Sequence, residues 1–411
     1  MSRPAIINLD HNATTPIDPR VADVLEACHR AAYANPSSQH QAGRRARRKL
    51  EDAREGLARL LGANVSDMHA DRLVFTSGAT EANNLALLGL AGSPPGRIII
   101  SSIEHPSVVG PAEELQRRGF ELSRVRATSA GVVDVDHLRQ LLARPSADAA
   151  APPIRLVSVM LGNNETGVLQ PISELAPLCD AANVPLHTDA SQVVGKAAVD
   201  FAALGVAALS FTGHKFHGPG GIGALLLRAG VELRPQLFGG FQQQELRPGT
   251  EFVAPAIALQ RALELWREEA DERIARMTML RDRFEMNLCG SLPGVSINGA
   301  DAPRLPHTSN VAFKGLDRQA LFMALDMAAV ACSTGSACAS GSSEPSPTLL
   351  AMGCDKAAIE GSLRFSLGAF TTTAEVDQAV ERICLAANNL RNQNSPGNFA
   401  ATSRQAGEKP L

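Results

Sequence analysis

The strongest constraint on the fold of this chain is a regular alternation of short apolar runs and helical patterns between residues 70 and 228. Several runs are nearly continuous Val, Ile and Leu, which is typical of strands that are covered on both faces. Strands that alternate with helices in this way form mainly parallel sheets. The sequence therefore predicts an α/β domain whose strands lie in the runs at 72–78, 97–101, 155–164, 184–191, 207–215 and 221–228.

A second, smaller α+β unit is predicted beyond this sheet. Its pattern consists of a long helix at 256–290, a strand at 309–315, a helix, a Ser- and Gly-rich loop at 331–347, a strand at 363–368 and a last helix at 374–392. We assign 15–258 to the large domain, and 1–14 with 259–393 to the small domain. The stretch 394–411 has little apolar content and is predicted to be disordered.

Composition excludes several classes of function. The formal net charge of −3 gives no general attraction to nucleic acid or to an acidic membrane. We find no apolar run near the about 20 residues that a membrane span needs, and no secretory or transit pattern at the N-terminus, so a cytoplasmic protein is expected. The seven cysteines are odd in number and include no CxxC pair, which argues against a disulfide framework and against a zinc site. No metal is expected.

One basic run, RRARRK at 44–49, raises the possibility of nucleic-acid binding. In a helix over this region, Arg47–Glu51, Arg48–Asp52 and Glu55–Arg59 are four residues apart. Such pairs are typical of a solvated helix face or a subunit contact. We favour that interpretation and expect no direct nucleic-acid partner.

Polar residues follow several of the apolar runs, at the edge where ligands bind in open α/β sheets. Lys215 ends one run and would form a Schiff base if its pKa were lowered; the alternative is a surface lysine before a hairpin. Asp189 ends the preceding run. Its carboxylate would pair with the pyridine nitrogen of pyridoxal phosphate, or would cap a helix.

Three further motifs point toward the same cofactor. In FTSGATEANN, at 75–84, a small-residue turn leads into a helix near Ala79–Thr80, which predicts either a phosphate cradle or an ordinary capping box. His105 follows another strand, where it would stack on the cofactor ring or move protons, or be a loop histidine. Asn164 is able to hydrogen-bond a ring oxygen or the substrate. Together these motifs predict a pyridoxal phosphate pocket.

Taken together, NLDHNATTP, NPSSQH, FTSGATEANN, EH, NNETG, HTDASQ, SFTGHKFHGPGGIG, RPGT, STGSACASGSSEPS and LRFSLG resemble the cysteine desulfurases. These enzymes belong to the class V aminotransferase group of fold-type I pyridoxal phosphate enzymes, and the STGSAC loop is similar to that of the NifS/IscS-like branch. The resemblance runs from residue 8 to about residue 370. It implies a large domain with a mainly parallel seven-stranded sheet between helices, and a smaller α+β domain.

The resemblance also implies roles for individual residues. Lys215 would carry the cofactor, Asp189 would hold its ring nitrogen, His105 would stack on the ring, and Asn164 and Gln192 would contact ring substituents. The phosphate would be bound by Ala79, Thr80, Thr212 and His214, and by Thr250 reaching in from the partner of a homodimer.

For the substrate, the resemblance implies L-cysteine. Arg364 would grip its carboxylate, with help from Asn35 and Asn164, although Arg364 read alone is a surface charge at a strand end. Cys338 would be the nucleophile that takes the substrate sulfur and carries it as a persulfide, while L-alanine is released. The sulfur would pass to an acceptor protein for iron–sulfur cluster assembly or tRNA thiolation. Cys332 is interpreted as a packed thiol.

Two other classes of function stay open on the sequence alone. A selenocysteine lyase or a class V aminotransferase would share the pocket, and an aminotransferase would not need a thiol at Cys338. A non-enzymatic binding module would use the basic helix and keep only a degenerate pocket. The chain departs from the family pattern at 239–250, and its end lacks the tryptophan-containing tail that docks a scaffold in IscS-type members.

Overall fold

The structure of the protein is a computed structural model that describes residues 5–66, 68–143, 152–335 and 344–394. In these ranges the strands are β1 (Ile7–Asn8), β2 (Arg72–Thr76), β3 (Arg97–Ser101), β4 (Glu121–Val125), β5 (Ile154–Ser158), β6 (Leu186–Asp189), β7 (Ala208–Thr212), β8 (Gly223–Leu227), β9 (Val295–Ile297), β10 (Thr308–Phe313), β11 (Val330–Ala331) and β12 (Ser362–Ser366). The helices are α1 (Pro19–Arg30), α2 (Gln41–Leu60), α3 (Ala79–Leu90), α4 (Pro106–Arg117), α5 (Val135–Leu142), α6 (Ile172–Ala181), α7 (Phe201–Leu204), α8 (Val253–Glu268), α9 (Ala270–Ser291), α10 (Arg318–Met327), α11 (Pro347–Ala351), α12 (Lys356–Glu360) and α13 (Thr373–Asn394).

Within the described ranges the central sheet has seven strands, in the order β2-β8-β7-β6-β5-β3-β4. Strand β8 is antiparallel to β2 and β7, and all other neighbouring strands of this sheet are parallel. The predicted α/β fold with a mainly parallel seven-stranded sheet is therefore confirmed. Strand β4 was not predicted from the sequence because its residues ELSRV are mostly polar. Polar side chains are tolerated in a strand at the edge of a sheet.

Helices cover both faces of this sheet. On one face α3 and α4 pack through small and aliphatic side chains such as Ala82, Leu85 and Val108. On the other face α2 and α8 pack through Leu57 and Leu259. The burial of both faces is the physical reason why the strands read as continuous apolar runs. None of the helices in the described part of the chain is long and apolar enough to cross a membrane.

The smaller unit has its own core. Strand β10 lies between β12 and β9 and is antiparallel to both, while β1 pairs in parallel with β11. The rings of Phe284, Phe313 and Phe365 meet in this core, with centroids 5.0 and 6.4 Å apart for the two pairs that share Phe365. Cys332 packs there and is 6% exposed, as predicted for a buried thiol.

The single helix predicted at 256–290 is wrong, because α8 and α9 are separate and meet at Glu269. The backbone of Glu269 leaves the helical region with φ −114° and ψ 12°, and its carboxylate pairs with Arg20 and Arg273. Helix α8 packs on the sheet, whereas α9 reaches the smaller core through Leu280 and Phe284. The division into two domains stays a prediction, and this packing favours a boundary near Glu269. Of the predicted disordered tail 394–411, the structure describes only Asn394.

The basic run lies on α2, as predicted, but two of its three predicted ion pairs are wrong. The Glu55–Arg59 pair is present at 3.9 Å. Glu51 and Asp52 pair instead with residues three positions away, Arg54 and Lys49. The helix therefore neutralises its acidic side chains with its own bases, which is typical of a solvated helix face.

Candidate active site

Nine of the predicted site residues line one cavity at the carboxyl ends of the central strands. Its volume is about 380 Å³, within the range of small-molecule sites. It opens beside the N-terminus of α3, and the predicted residues in its wall are Ala79, Thr80, His105, Asn164, Asp189, Gln192, Thr212, His214 and Lys215.

The N-terminus of α3 is built to accept an anion. Its N-cap residue is Gly78, which has no side chain to cap the helix. The alternative of a capping box with Ser77 or Thr80 as cap is therefore wrong. A Cβ added to Gly78 would meet nothing nearer than Thr212 Oγ1, at 3.9 Å. The backbone of Gly78 instead rests on β8, because a Cβ on Gly223 would lie 2.7 Å from the Gly78 carbonyl carbon. Uncapped N–H groups at a helix N-terminus attract phosphate.

The Asp189 carboxylate is buried and held from two sides. Its Oδ2 accepts a hydrogen bond from Asn83 Nδ2 at 2.7 Å, and its Oδ1 accepts from the backbone and hydroxyl of Ser191. These donors fix the position of the carboxylate, and Asp189 is only 6% exposed. Because Asp189 lines the cavity, it can pair with a cationic ring nitrogen.

His105 is the N-cap of α4, and its ring is fixed by Ser107. His105 Nδ1 accepts from the Ser107 backbone N–H at 3.1 Å and lies 2.8 Å from Ser107 Oγ, which itself accepts from Asn83 Nδ2. Nδ1 is thus an acceptor, so the neutral imidazole carries its proton on Nε2. Burial lowers the pKa of His105, so a neutral ring is expected at pH 7.

Lys215 ends a 3-10 turn, Gly213–Lys215, directly after β7. Its Nζ donates to the backbone carbonyls of Asn12 and Ala13, the second at 2.8 Å. The N-terminal segment is held there because Thr15 donates through both its backbone and its hydroxyl to the His214 carbonyl. Burial, together with the charges of Lys215 and Lys196, lowers the pKa of His214 to about 4.

Arg364 does not line the cavity and is not a surface charge. It lies in the middle of β12, is 4% exposed, and pairs with Asp10 at 2.7 Å. Its Nη1 donates to the backbone carbonyl of Asn164 at 3.0 Å, so the guanidinium sits directly behind a residue of the cavity wall. The side chains of Asn35 and Thr250 are exposed and lie outside the cavity wall.

The predicted nucleophile Cys338 lies outside the described residues, but both flanks of its loop are described. Ser333 exchanges two backbone hydrogen bonds with Arg364. On the other flank, Ser346 donates to the buried carboxylate of Glu165 at 2.6 Å. A Cβ on Gly335 would lie 2.6 Å from that same carboxylate, so the backbone there passes close to Glu165. The two ends of the loop are thus tied beside Asn164 and Arg364.

Several residues of the site were missed in the sequence. Asn83 links Asp189 to Ser107, and Asn12 accepts from Lys215 and Gln192. Asn12 lies in the motif NLDHNATTP and Asn83 in FTSGATEANN. The signal for Asn83 was available, since it falls on the buried face of α3 among alanines and leucines.

The residues of this cavity fit pyridoxal phosphate. The cofactor needs a lysine, a carboxylate for its ring nitrogen and donors for its phosphate. Lys215, Asp189 and the uncapped N-terminus of α3 supply these around one cavity of suitable volume. A lysine, a buried acid and a phosphate cradle at the carboxyl ends of β7, β6 and β2 in a mainly parallel sheet define a fold-type I pyridoxal phosphate enzyme.

Comparison with known proteins agrees with this class. The aminotransferase class-V family matches residues 7–379. An IscS-like cysteine desulfurase of Mycobacterium tuberculosis is 40% identical over 381 residues, which cover 91% of this chain and 94% of the relative. The cysteine desulfurase NifS of Azotobacter vinelandii is 36% identical, with 94% of each chain covered. A NifS-like protein from Rickettsia africae has a TM-score of 0.84 and 30% identity, covering 93% of this chain and 99% of its own.

These likenesses extend over nearly the whole length of the relatives. The chain belongs to the class-V aminotransferase family and, within it, to the IscS- and NifS-like cysteine desulfurases.

Proposed function

We propose that the protein takes sulfur from L-cysteine, releases L-alanine and carries the sulfur as a persulfide on Cys338 to an acceptor protein. One observation carries the proposal. The cavity that contains Lys215, Asp189 and His105 has beside it both described flanks of the loop that includes Cys338. A lysine pocket alone would suit many reactions, whereas a thiol tethered beside it suits sulfur transfer.

The cofactor would be held by residues of the cavity wall. Lys215 would bind it covalently, Asp189 would pair with its ring nitrogen, and His105 would stack on the ring. Asn164 and Gln192 would contact its ring substituents. The phosphate would be bound at the N-terminus of α3 by the group Ala79, Thr80, Thr212 and His214. When bound, pyridoxal phosphate stabilises negative charge at the substrate α-carbon.

Thr212 would have to reorient to bind a phosphate. Its hydroxyl donates to the Ile222 carbonyl at 3.0 Å, so its proton is already used. A turn about χ1 would redirect that proton toward the cavity that Thr212 lines. His214, with its pKa near 4, is neutral at pH 7 and would contribute an N–H donor.

The protein's own groups would move the protons and the sulfur. The Lys215 amine, released from the cofactor when the substrate binds, would take the proton from the substrate α-carbon. The Cys338 thiolate would then attack the substrate sulfur. One S–S bond forms and one C–S bond breaks, and a proton returns to carbon to give L-alanine. The overall balance is L-cysteine plus enzyme thiol to L-alanine plus enzyme persulfide.

Arg364 would bind the substrate carboxylate by replacing or sharing its present partner. The guanidinium now pairs with Asp10, whose side chain is 23% exposed. The incoming carboxylate would replace or share that pair, with Asn164 alongside and with Asn35 assisting. A buried guanidinium already balanced by an acid avoids the cost of an unpaired charge before the substrate arrives.

A second copy of the chain would complete the site. Thr250 is exposed and would reach the partner's phosphate site. The segment that includes Thr250 also carries exposed aromatic side chains, with Phe238 87%, Phe241 85% and Phe252 65% exposed. Exposed aromatic residues in one segment favour a protein–protein contact. The odd number of thiols and the persulfide chemistry suit the reducing cytoplasm.

The proposal is tested by treating the pyridoxal phosphate-loaded protein with L-cysteine and measuring the mass of the peptide that contains Cys338. We expect an added sulfur atom on that peptide and release of L-alanine. Cys338→Ala should abolish both, while Cys289→Ala, at an exposed thiol, should change neither. L-alanine formation by Cys338→Ala at the wild-type rate would remove the persulfide step on this thiol and leave a lyase-type cleavage of the C–S bond, as in a selenocysteine lyase.

A further inference from the structure

Lys196 is a buried lysine next to the cavity that the proposed reaction does not use. It follows β6 by a tight turn and is 4% exposed. Its Nζ donates to Gln192 Oε1 at 2.7 Å and lies 3.4 Å from Asn12 Oδ1. Both partners are neutral amides, so they give the amine no ion pair. Burying a lysine without an ion pair costs free energy of folding, so we expect this residue to serve a function.

The charged and titratable groups that face Lys196 are mostly basic. Lys215 and Arg364 lie close enough for their charges to oppose protonation of Lys196, and burial is the larger cause that lowers its pKa well below the usual range. Its amine in turn opposes protonation of the histidines on the surrounding segments, His11, His214, His217 and His307.

The hydrogen bonds determine which way the Gln192 amide points. Gln192 Nε2 lies 3.1 Å from the Asn12 backbone carbonyl, which only accepts hydrogen bonds. The amide nitrogen must therefore face Asn12, and the amide oxygen must face Lys196. This leaves the second N–H of Gln192 for the cavity that its side chain lines. The same Asn12 carbonyl also accepts from Lys215, so Gln192 and Lys215 share one acceptor.

We propose that Lys196 is a positioning residue that keeps Gln192 as a hydrogen-bond donor toward the anionic ring oxygen of the cofactor and adds a basic group behind it. The proposal rests on the proposed function, since it takes pyridoxal phosphate as the ligand. A donor to the ring oxygen favours its anionic form. Any positive charge at Lys196 has the same effect, and it also disfavours a proton on the nitrogen through which Lys215 binds the cofactor.

The test is Lys196→Met, which keeps the length of the side chain but removes the donor and the basic group. In the cofactor-loaded protein we expect the pH midpoint of the change in visible absorption to rise by about one unit, with cofactor affinity reduced about tenfold. Lys314→Met, at a half-exposed lysine paired with Asp355 on the smaller unit, is the matched control and should leave both values unchanged.

A purely structural role would not move the absorption midpoint. A midpoint for Lys196→Met equal to that of the wild-type protein, with cofactor bound, would overturn the proposal. If the Met variant does not fold, Lys196→Gln serves instead: its amide can still donate to Gln192 Oε1 but it has no basic group, so the midpoint should rise by less than in Lys196→Met. A separate measurement tests the proposed function: it fails if the wild-type protein with cofactor bound forms no sulfur adduct on Cys338.

Discussion

Replacing Asp189 by Asn would test the centre of the proposed site. The change keeps the shape of the side chain but puts an amide nitrogen where a carboxylate oxygen now accepts. Asn83 Nδ2 donates to one oxygen at 2.7 Å, and Ser191 donates twice to the other. In either orientation of the new amide, a donor therefore faces a donor. Turning the Asn83 amide would remove this clash, but its oxygen would then face Ser107 Oγ, which would have to donate to Asn83 instead of to His105.

The size of the effect follows from these contacts. One hydrogen bond to a charged group contributes about 1.5–3 kcal/mol, so the free energy of unfolding of Asp189→Asn without cofactor should fall by about that amount. The cofactor loses the charge that faces its ring nitrogen. A similar free energy in binding corresponds to an affinity for pyridoxal phosphate about 10- to 150-fold lower.

The two effects are separable by exchanging the partners. In the double variant Asn83→Asp with Asp189→Asn, a donor again faces an acceptor between these two residues, but Ser107 must then donate to residue 83 instead of to His105. Urea unfolding should therefore recover part of the lost stability, whereas equilibrium dialysis should still find weak cofactor binding. Wild-type cofactor affinity in Asp189→Asn would refute the assignment of Asp189 to the ring nitrogen. Failure of the exchange to restore stability would refute the pairing argument.

Four further predictions concern the surroundings of the site. Arg364→Gln breaks a buried ion pair and should lower the free energy of unfolding by up to about 3 kcal/mol in urea, with a raised KM for L-cysteine. Gln243→Ala removes a side chain that bonds both backbone groups of Phe75 on the edge strand β2, and should cost about 1–3 kcal/mol in the same assay. Burial raises the pKa of Cys332 to about 12, so iodoacetamide at pH 8 should leave its peptide unmodified while the chain is folded. Without cofactor, the stability of the wild-type protein relative to Lys196→Met should rise with pH toward 10.4 by up to about 1.4 kcal/mol per unit in urea titrations, because only the unfolded chain holds the extra proton.

The central sheet was predictable because burial on both faces leaves a strong mark in the sequence. Strands such as β3 and β7 read as apolar runs, and the helices between them follow a different period. The break between α8 and α9 leaves no such mark. It depends on Glu269 pairing with Arg20, a residue 249 positions away in the chain, and local periodicity carries no information about that contact.

The site was predictable where it lies at strand ends and not where it is assembled by distant contacts. Asp189 ends β6 and Lys215 closely follows the neighbouring β7, and parallel strands bring their carboxyl ends to one edge. Asn83 acts through Asp189, 106 positions away, and the Gln192 amide that Lys196 bonds is anchored to Asn12, 180 positions away. Each reads as an ordinary residue of a turn or a helix until the fold brings those partners together.

Asn12 explains why the site cannot be assigned to one domain alone. Its backbone N–H donates to Ser366 and its side chain donates to Thr308, both in strands of the smaller unit. Its backbone carbonyl accepts from Lys215 and Gln192, which belong to the larger unit. A shift of the smaller unit would therefore move the acceptor on which the lysine and the cofactor-facing amide both depend. The smaller unit also carries the loop of Cys338. Asn12 therefore links the position of that unit to the Lys215 amine, which would take the substrate proton.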